Sequence, residues 1–348
     1  MTRLIAVLLV AAAWGAAQDA PQPYKDGRKT PVEFAGPGAE SPEPEVSEVL
    51  FGWFGPPEGP MWDAANQALA ELNRDGGYKG RPFRLLPGWA DDPWRAGAQH
   101  LTRMAFRDRV WAIIATENGD AVHLAEQIAA KALLTVVNPS SSDRSIHTAG
   151  LPWIFSCVQG DDVIAQALAQ AVKGQSVLVI ASTDHDSRAL LSKLKPLVSI
   201  SRLVEFGPND AGRAAAAVAN GIEPAIVIAD ARDSAAAVSA LRESGYKGQI
   251  YGGPSMGRAE FNGAGVQFPL LSEQTRFPDY ASACAYDSVK MLAQAVRRGG
   301  LNRERIRRAM GALSPYEGAS GLIEWDEFGQ NRRPVRIVSK AEAQQNPQ

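Results

Sequence analysis

The segment from Val110 to Asp143 combines two short apolar runs, a helical segment between them and two polar loops. Trp111 to Ile114 and Leu133 to Val137 are apolar runs of strand length, and Ala121 to Ala132 repeats apolar residues at helical spacing. A strand, a helix and a second strand in this order form a βαβ unit with parallel strands. The segment therefore predicts an open α/β sheet covered by helices.

The same alternation of strand and helix fills two long runs of the chain. One run begins near Val46 and includes the βαβ unit, and a second begins at Ser176. Two such runs predict two lobes, each with a parallel sheet and covering helices, and a cleft between them. The last part is less regular: we expect a long helix over residues 280–298 and a hairpin that pairs residues 321–325 with 335–338.

The amino terminus has the pattern of a secretory signal peptide over residues 1–17. Arg3 precedes an apolar run and three small residues, and residues 18–45 are rich in proline, glycine and acidic side chains, as in a flexible leader. No later stretch is apolar over the length of a membrane-spanning helix, and the first cysteine is Cys157. We therefore expect a soluble periplasmic or secreted protein without a lipid anchor.

Composition limits the partners and cofactors of the chain. The net charge of -2 gives no basic surface, which argues against a nucleic acid partner. Cys157 and Cys284 would meet an oxidising compartment after export, where a disulfide and two separate buried thiols are both open. His123 and Glu126 share a helix face, but nothing in the pattern supplies further metal ligands, so we expect no metal and no cofactor.

The two polar loops of the βαβ unit are the candidate ligand site. They read TENGD over residues 116–120 and NPSSSD over 138–143. In open α/β sheets, ligands bind beyond the carboxyl ends of the strands, where helix amino termini begin. Small hydroxyl and amide side chains can hydrogen-bond a carboxylate or amide there. The alternative is that Asp120 and Asp143 are helix caps and the serines are turn residues.

Four segments in order resemble the periplasmic solute-binding proteins of the leucine/isoleucine/valine class, the type I binding-protein fold of ABC importers. They are ANQALAELNRDGGYKGRPF, AIIATENGDAVHLAEQIAAKALLTVVNPSSSD, ASACAYDSVKMLAQAVRRGG and SGLIEWDEFGQNRRPVRIV. The resemblance implies two Rossmann-like lobes joined by a three-strand hinge. It divides the chain into residues 46–155 and 272–322 for lobe 1, 156–271 and 323–340 for lobe 2, and a tail at 341–348.

The resemblance also implies the function and part of the site. A monomer would capture a small polar or amphipathic solute, an amino acid or related compound, and deliver it to an ABC permease in the inner membrane. Asn118 falls where the family has a serine that meets the polar head of the ligand. Ser140 and Ser142 fall in the second loop that contacts this head group.

The second lobe departs from the family pattern. Asp186 lies in a stretch where the family often has an aromatic residue, and Ser255 stands where amino-acid binders have an acidic one. We expect Asp186 and Ser255 to close on the solute, with Asp186 or Asp230 as partners for an ammonium group. Trp53 and Phe54 are candidates to pack on an apolar part of the solute, and aromatic plugs between helix and sheet are the alternative.

Two rival functions are open to the same sequence. Residues 253–257 fit the G-x-S-x-G motif of hydrolases, but all four histidines precede Ser255, whereas that fold places histidine last. We therefore expect no enzyme. The second rival is a ligand-sensing or envelope-protein-activating module with the same fold and no transport role.

Overall fold

The structure is a computed structural model that describes residues 43–90, 93–218, 220–273 and 276–344. The predicted signal peptide, most of the predicted leader and residues 345–348 of the tail lie outside this range. Glu43, at the end of the predicted leader, accepts hydrogen bonds from Tyr78 at 3.0 Å and from Lys79 at 2.9 Å. Among the residues that the structure describes, no helix is long and apolar enough to cross a membrane.

Two parallel sheets form the framework, as the alternation of strands and helices predicts. The first consists of β1 (Val49–Phe54), β2 (Phe83–Pro87), β3 (Ala112–Ala115), β4 (Thr135–Asn138) and β5 (Ile154–Ser156), in the order β2-β1-β3-β4-β5. The second consists of β6 (Ser176–Ser182), β7 (Ser199–Phe206), β8 (Ala225–Ile228), β9 (Ile250–Gly252), β10 (Val266–Leu270) and β13 (Arg336–Ser339), in the order β13-β10-β9-β8-β6-β7. All pairs are parallel except β10 with β13. The central strands are buried on both faces, which explains their continuous apolar sequences.

Helices cover the faces of both sheets. They are α1 (Pro60–Arg74), α2 (Ala98–Thr102), α3 (Gly119–Ala132), α4 (Asp161–Ala171), α5 (His185–Leu194), α6 (Ala211–Ala216), α7 (Ala231–Glu243), α8 (Tyr280–Gly299), α9 (Arg303–Gly311) and α10 (Lys340–Gln344). The segments Pro93–Gly97 and Arg103–Arg107 on either side of α2 are π-helical. The sequence pattern predicts one continuous helix over residues 93–107, and the structure has an α-helical turn only in the middle of this stretch.

The predicted hairpin between residues 321–325 and 335–338 is wrong. The strand β12 (Gly321–Ile323) pairs with β11 (Tyr316–Gly318), and β13 instead covers the edge of β10. Only Trp325 and Asn331 form an antiparallel bridge between the two predicted arms. The prediction failed because it recognised neither β11 nor β10, the actual pairing partners, as strands.

The long helix α8 returns the chain to the first sheet after the second is complete. It packs against α1, where Tyr286 donates a hydrogen bond to Glu71 and Lys290 Nζ lies 3.1 Å from the same carboxylate. Arg276 Nη2 lies 2.9 Å from the other oxygen. Burial raises the pKa of Glu71, but hydrogen bonds from Tyr286 and Lys290 outweigh it and lower the pKa to about 2.

This lowered pKa predicts an acid-sensitive contribution to stability. Because the pKa of Glu71 is below its ordinary value near 4.5, its contribution is complete above that pH and is lost as the pH falls toward 2. We expect Glu71→Gln to lower the free energy of unfolding at pH 7 by about 1 to 3 kcal/mol and to flatten its pH dependence below pH 5. Urea unfolding at pH 3.5 to 7 measures both effects.

The matched control is Glu48→Gln, because Glu48 pairs with Arg84, whose side chain is 64% exposed. A surface pair of this kind contributes little. Equal pH slopes for wild type and Glu71→Gln would contradict the assignment.

Candidate functional site

The loop after β3 ends in a capped helix amino terminus. Asn118 is extended and its side-chain oxygen accepts the hydrogen bond of the Ala121 N–H at 3.0 Å, which caps α3. The N–H of Gly119, the first residue of α3, points out of the helix. Asn118 therefore sets the start of α3 at the carboxyl edge of the first sheet, where the sequence predicts the head-group site.

The loop after β4 is held in place by the buried amide of Asn138. Its nitrogen donates to the Ser141 carbonyl at 2.7 Å, and its oxygen accepts from the N–H groups of Ser140 and Ser141 at 3.2 and 2.9 Å. Ser140 and Ser142 are 5% and 8% exposed. The three serines are therefore fixed in a folded turn next to the start of α3.

Two polar groups beside this turn are buried and have few protein partners. The Ser140 hydroxyl and both carboxylate oxygens of Asp161 lie out of contact with solvent and form no hydrogen bond of full geometry, and the backbone N–H of Arg144 is the protein donor near the Asp161 carboxylate. Asp161 begins α4, and its N–H donates to the Ser142 carbonyl at 2.7 Å. Buried polar groups in proteins are nearly always satisfied, so these atoms mark a place for a polar ligand.

The raised pKa of the Asp161 carboxyl is consistent with a ligand site at this position. Burial raises its pKa to about 7, and the charge of Asp143 adds to the effect, while Lys193 acts in the opposite direction. A buried carboxylate without a cation at hydrogen-bonding distance is suited to an ammonium group of a ligand. The sequence analysis missed Asp161, although the motif Gly160-Asp161-Asp162 at the start of a helix was its signal.

The second sheet contributes the start of α5. Asp184 caps α5 by accepting the Ser187 N–H at 2.9 Å, which directs His185 and Asp186 toward the first sheet. Asp186 Oδ1 accepts the N–H of Gly119 at 2.8 Å, and His185 Nε2 lies 2.7 Å from Asp143 Oδ2. The starts of α3 and α5 therefore meet across the cleft.

Glycine is required at position 119 for this close approach. A Cβ atom there would lie 2.6 Å from Asp186 Oδ1 and 2.9 Å from His185 Cδ2. The positive end of the α3 dipole stabilises the Asp186 carboxylate. Burial nevertheless raises the pKa of Asp186 to about 7.

Two further predicted site residues lie at the carboxyl ends of β8 and β9. Asp230 is exposed and caps α7 by accepting the Asp233 N–H at 2.7 Å. The Ser255 hydroxyl donates to the Ala229 carbonyl and lies 3.3 Å from the Ser234 hydroxyl. The hydrogen bonds of both residues are thus local to the second lobe.

The predicted aromatic residues pack inside the first lobe. Trp53 and Phe54 are 1% and 0% exposed, and the Trp53 indole donates to the Pro56 carbonyl at 2.9 Å. Their rings pack edge-on against Trp62 and Trp89 at centroid distances of 5.5 and 5.3 Å. In this conformation they offer no surface to a solute.

His123 adds a histidine to the junction between the lobes. Its Nε2 lies 3.1 Å from Asp143 Oδ2 and its Nδ1 lies 3.3 Å from Glu126. Hydrogen bonds to Asp143 and Glu126 raise the pKa of His123 to about 9, and the two histidines hold the pKa of Asp143 far below its usual range despite its burial. From the sequence, only His123 and Glu126 are expected to lie together, because they share a helix face. Asp143 and His185 come close to His123 only in the folded chain.

The two cysteines are free thiols in the core. Cys157 and Cys284 are 2% and 1% exposed, and Cys157 Sγ lies 3.5 Å from the Ser288 hydroxyl. A hydrogen bond with Cys157, together with burial, raises the pKa of Cys284 well above its ordinary value. The sequence leaves open a disulfide or two buried thiols, and the structure contains two buried thiols.

Two covered parallel sheets, with polar loops at their facing strand ends, define a two-lobed ligand-binding protein. Residues 48–268 match the family model of the periplasmic binding proteins, and the chain belongs to this family. None of the curated proteins matches the sequence.

Solved structures confirm the type I periplasmic binding protein fold. LivJ of Streptococcus pneumoniae in complex with isoleucine has a TM-score of 0.74 at 16% identity, covering 84% of this chain and 99% of that one. The leucine-binding protein LivK of Thermotoga maritima has a TM-score of 0.72 at 19% identity, with 84% and 96% covered. A solute-binding protein of an R. palustris ABC transporter in complex with benzoate has 0.70 at 12%, with 84% and 93% covered.

Proposed function

We propose that this protein captures a small polar or amphipathic solute between its lobes and delivers it to an ABC permease in the inner membrane. The observation that carries the proposal is the presence at the lobe junction of two buried groups with spare hydrogen-bonding capacity, the Ser140 hydroxyl and the Asp161 carboxylate. A solute with hydrogen-bonding and cationic groups would satisfy both. The solute-binding proteins with the same fold that hold isoleucine and benzoate support this class of ligand.

The arrangement of the site suggests how a solute would bind. Asn118, Ser140 and Ser142 offer hydrogen bonds to its polar head, and Asp161 offers a carboxylate to an ammonium group. Asp186 already accepts the Gly119 N–H, so a solute carboxylate would have to displace it from the start of α3. Asp186 would then be free to pair with the ammonium, as the sequence analysis expects.

A transport function would require export of the chain and a movement of its two lobes. We infer that the signal peptide is removed after Ala17 and that the mature monomer works outside the cytoplasm. The lobe division at residues 155, 271 and 322 would let the lobes close by a hinge motion, and the closed form would dock on the permease.

We propose that the region around Ser255 contributes to solute binding and has no catalytic role. A nucleophilic serine needs a base within hydrogen-bonding reach. The Ser255 hydroxyl instead donates a hydrogen bond to the backbone carbonyl of Ala229, and residues Pro254–Gly257 form a short 3₁₀ turn. The G-x-S-x-G match therefore has a structural explanation.

A thermal-shift screen of the mature chain tests the proposal. The panel contains amino acids, amides, short peptides, small carboxylates and aromatic acids. A ligand at about 100 times its dissociation constant should stabilise the protein by roughly 2.7 kcal/mol, which raises the melting temperature by several degrees. Folded protein that responds to no compound would favour the sensor or envelope-activating module.

Asp161→Asn makes the screen specific for the site. It should abolish the shift caused by ammonium-bearing compounds, because it removes the buried charge that they would pair with. Asp210→Asn is the matched control, since Asp210 forms only an exposed pair with Arg213. A hit that Asp161→Asn leaves unchanged would place the ammonium elsewhere.

A further inference from the structure

Two histidines and an aspartate converge where the lobes meet. His123 and Asp143 lie on the first lobe and His185 on the second, and one donor atom of each lies within 4.8 Å of the other two. Both Nε2 atoms approach the same oxygen, Asp143 Oδ2, at 3.1 and 2.7 Å. Three donor atoms this close together can share a single small cation after small side-chain rotations.

The donor set has the chemistry of a transition-metal site. Two imidazole nitrogens and one carboxylate oxygen suit zinc and related divalent ions, which bind such atoms at about 2.0 to 2.2 Å. Asp143 is fully buried, whereas the His123 and His185 side chains are 22% and 32% exposed. An ion would thus enter from the solvent side and keep an open position for water.

The surroundings of the two imidazoles support this assignment. His123 Nδ1 lies 3.3 Å from Glu126 Oε2, and His185 Nδ1 lies 3.2 Å from Asp120 Oδ1. When a metal ion replaces the proton on Nε2, a carboxylate beside Nδ1 holds the remaining N–H there, which is the usual outer shell of metal-bound histidine. Both candidate ligands therefore have the outer partner that a metal site requires.

We propose that His123, Asp143 and His185 bind one divalent transition-metal ion that ties the two lobes together. The ion takes the place of the contacts between the histidines and Asp143, and it joins the start of α5 to the loop after β4. Because Ser142 adjoins Asp143 and Asp186 adjoins His185, the ion holds closed the same cleft that the proposed solute site occupies. The metal site itself does not depend on which solute the cleft takes.

Titration of the chelator-treated full chain with Zn²⁺ tests the proposal. The protein carries no histidine tag and is held at pH 8, because protons compete with metal for imidazole. We expect one Zn²⁺ per chain by calorimetry, and Co²⁺ as a probe should give the visible absorption of a low-symmetry site. His185→Ala should weaken Zn²⁺ binding by at least about 100-fold, since it removes a ligand, and Glu126→Gln by about 10- to 100-fold.

His100→Ala is the matched control, because it removes an imidazole outside the cluster and should leave Zn²⁺ affinity unchanged. Thermal unfolding of each variant without metal verifies that it folds. Wild type that binds less than one Zn²⁺, or binds it no more tightly than His185→Ala, overturns the proposal. Protein that binds solute but takes up no Zn²⁺ would overturn the metal site alone, and Zn²⁺ binding with a silent solute panel would leave only the transport proposal unsupported.

Discussion

Gly329→Ala is expected to lower the free energy of unfolding by about 2 to 5 kcal/mol. Gly329 has a φ of 87°, and a Cβ atom there would lie 2.2 Å from the backbone oxygen of Ile154. The contact is with main chain, so no side chain can move aside. The substitution therefore combines a left-handed backbone with a clash that only a shift of β5 can relieve.

The matched control for this prediction is Gly174→Ala. Gly174 has a φ of 77°, but no atom lies within 4 Å of the Cβ position. Gly174→Ala should lower the free energy of unfolding by only about 1 to 2 kcal/mol, the cost of a left-handed backbone at a residue other than glycine. Urea unfolding of both variants separates the two effects, and equal losses would contradict the clash.

The predicted damage matters because Gly329 belongs to a segment that braces the chain between β5 and α4. The Gly329 carbonyl accepts the Ser156 N–H at 2.9 Å. The side chains of Gln330 and Asn331 donate to the carbonyls of Val158 and Cys157 at 2.7 and 2.6 Å. This bracing holds together two of the chain segments that we propose as the hinge.

A second large effect is expected when two head-group residues are removed together. Asn118→Ala with Ser142→Ala should weaken solute affinity well beyond tenfold, because each lost buried hydrogen bond costs about 1 to 3 kcal/mol. Isothermal titration with a compound from the screen measures the loss. Unchanged affinity would contradict the assignment of these residues to the site.

Asn118 also caps α3, so the double variant needs a control for helix stability. Asn118→Ser keeps a side-chain oxygen for the Ala121 N–H and restores the residue type that the family has at this position. Together with intact Ser142, it should retain most of the affinity. A loss as large as that of the double variant, with the cap retained, would contradict the expectation that a side-chain oxygen at position 118 is enough to serve the head group.

Local sequence patterns were sufficient for most of the framework, with the exception of β10 and its pairing with β13. The apolar run over residues 49–54, which ends at Gly55-Pro56-Pro57, predicts a strand, and β1 has these bounds. The βαβ unit and the facing polar loops follow from periodicity and the fixed geometry of parallel sheets. The position of both loops at the same edge of the first sheet therefore follows from the sequence.

Contacts between segments that are distant along the chain could not be predicted from the sequence. His185 and Asp143 meet only because α5 and the loop after β4 face each other across the cleft, and no spacing rule joins them. The burial of the Asp161 carboxylate depends on how the start of α4 packs against the Ser140–Ser142 turn. Whether Trp53 and Phe54 face the cleft or the core likewise depends on tertiary packing, which no local pattern specifies.

The distance between the lobes, with and without solute, tests the central proposal most directly. Spin labels on Phe106→Cys and Leu197→Cys report it by pulsed electron resonance, because these side chains are 54% and 47% exposed on opposite lobes, while the native cysteines are buried. With chelator present throughout, saturating solute should convert a broad distribution into one narrow, shorter distance. Solute that binds and leaves the distribution unchanged would contradict a cleft that closes on its ligand.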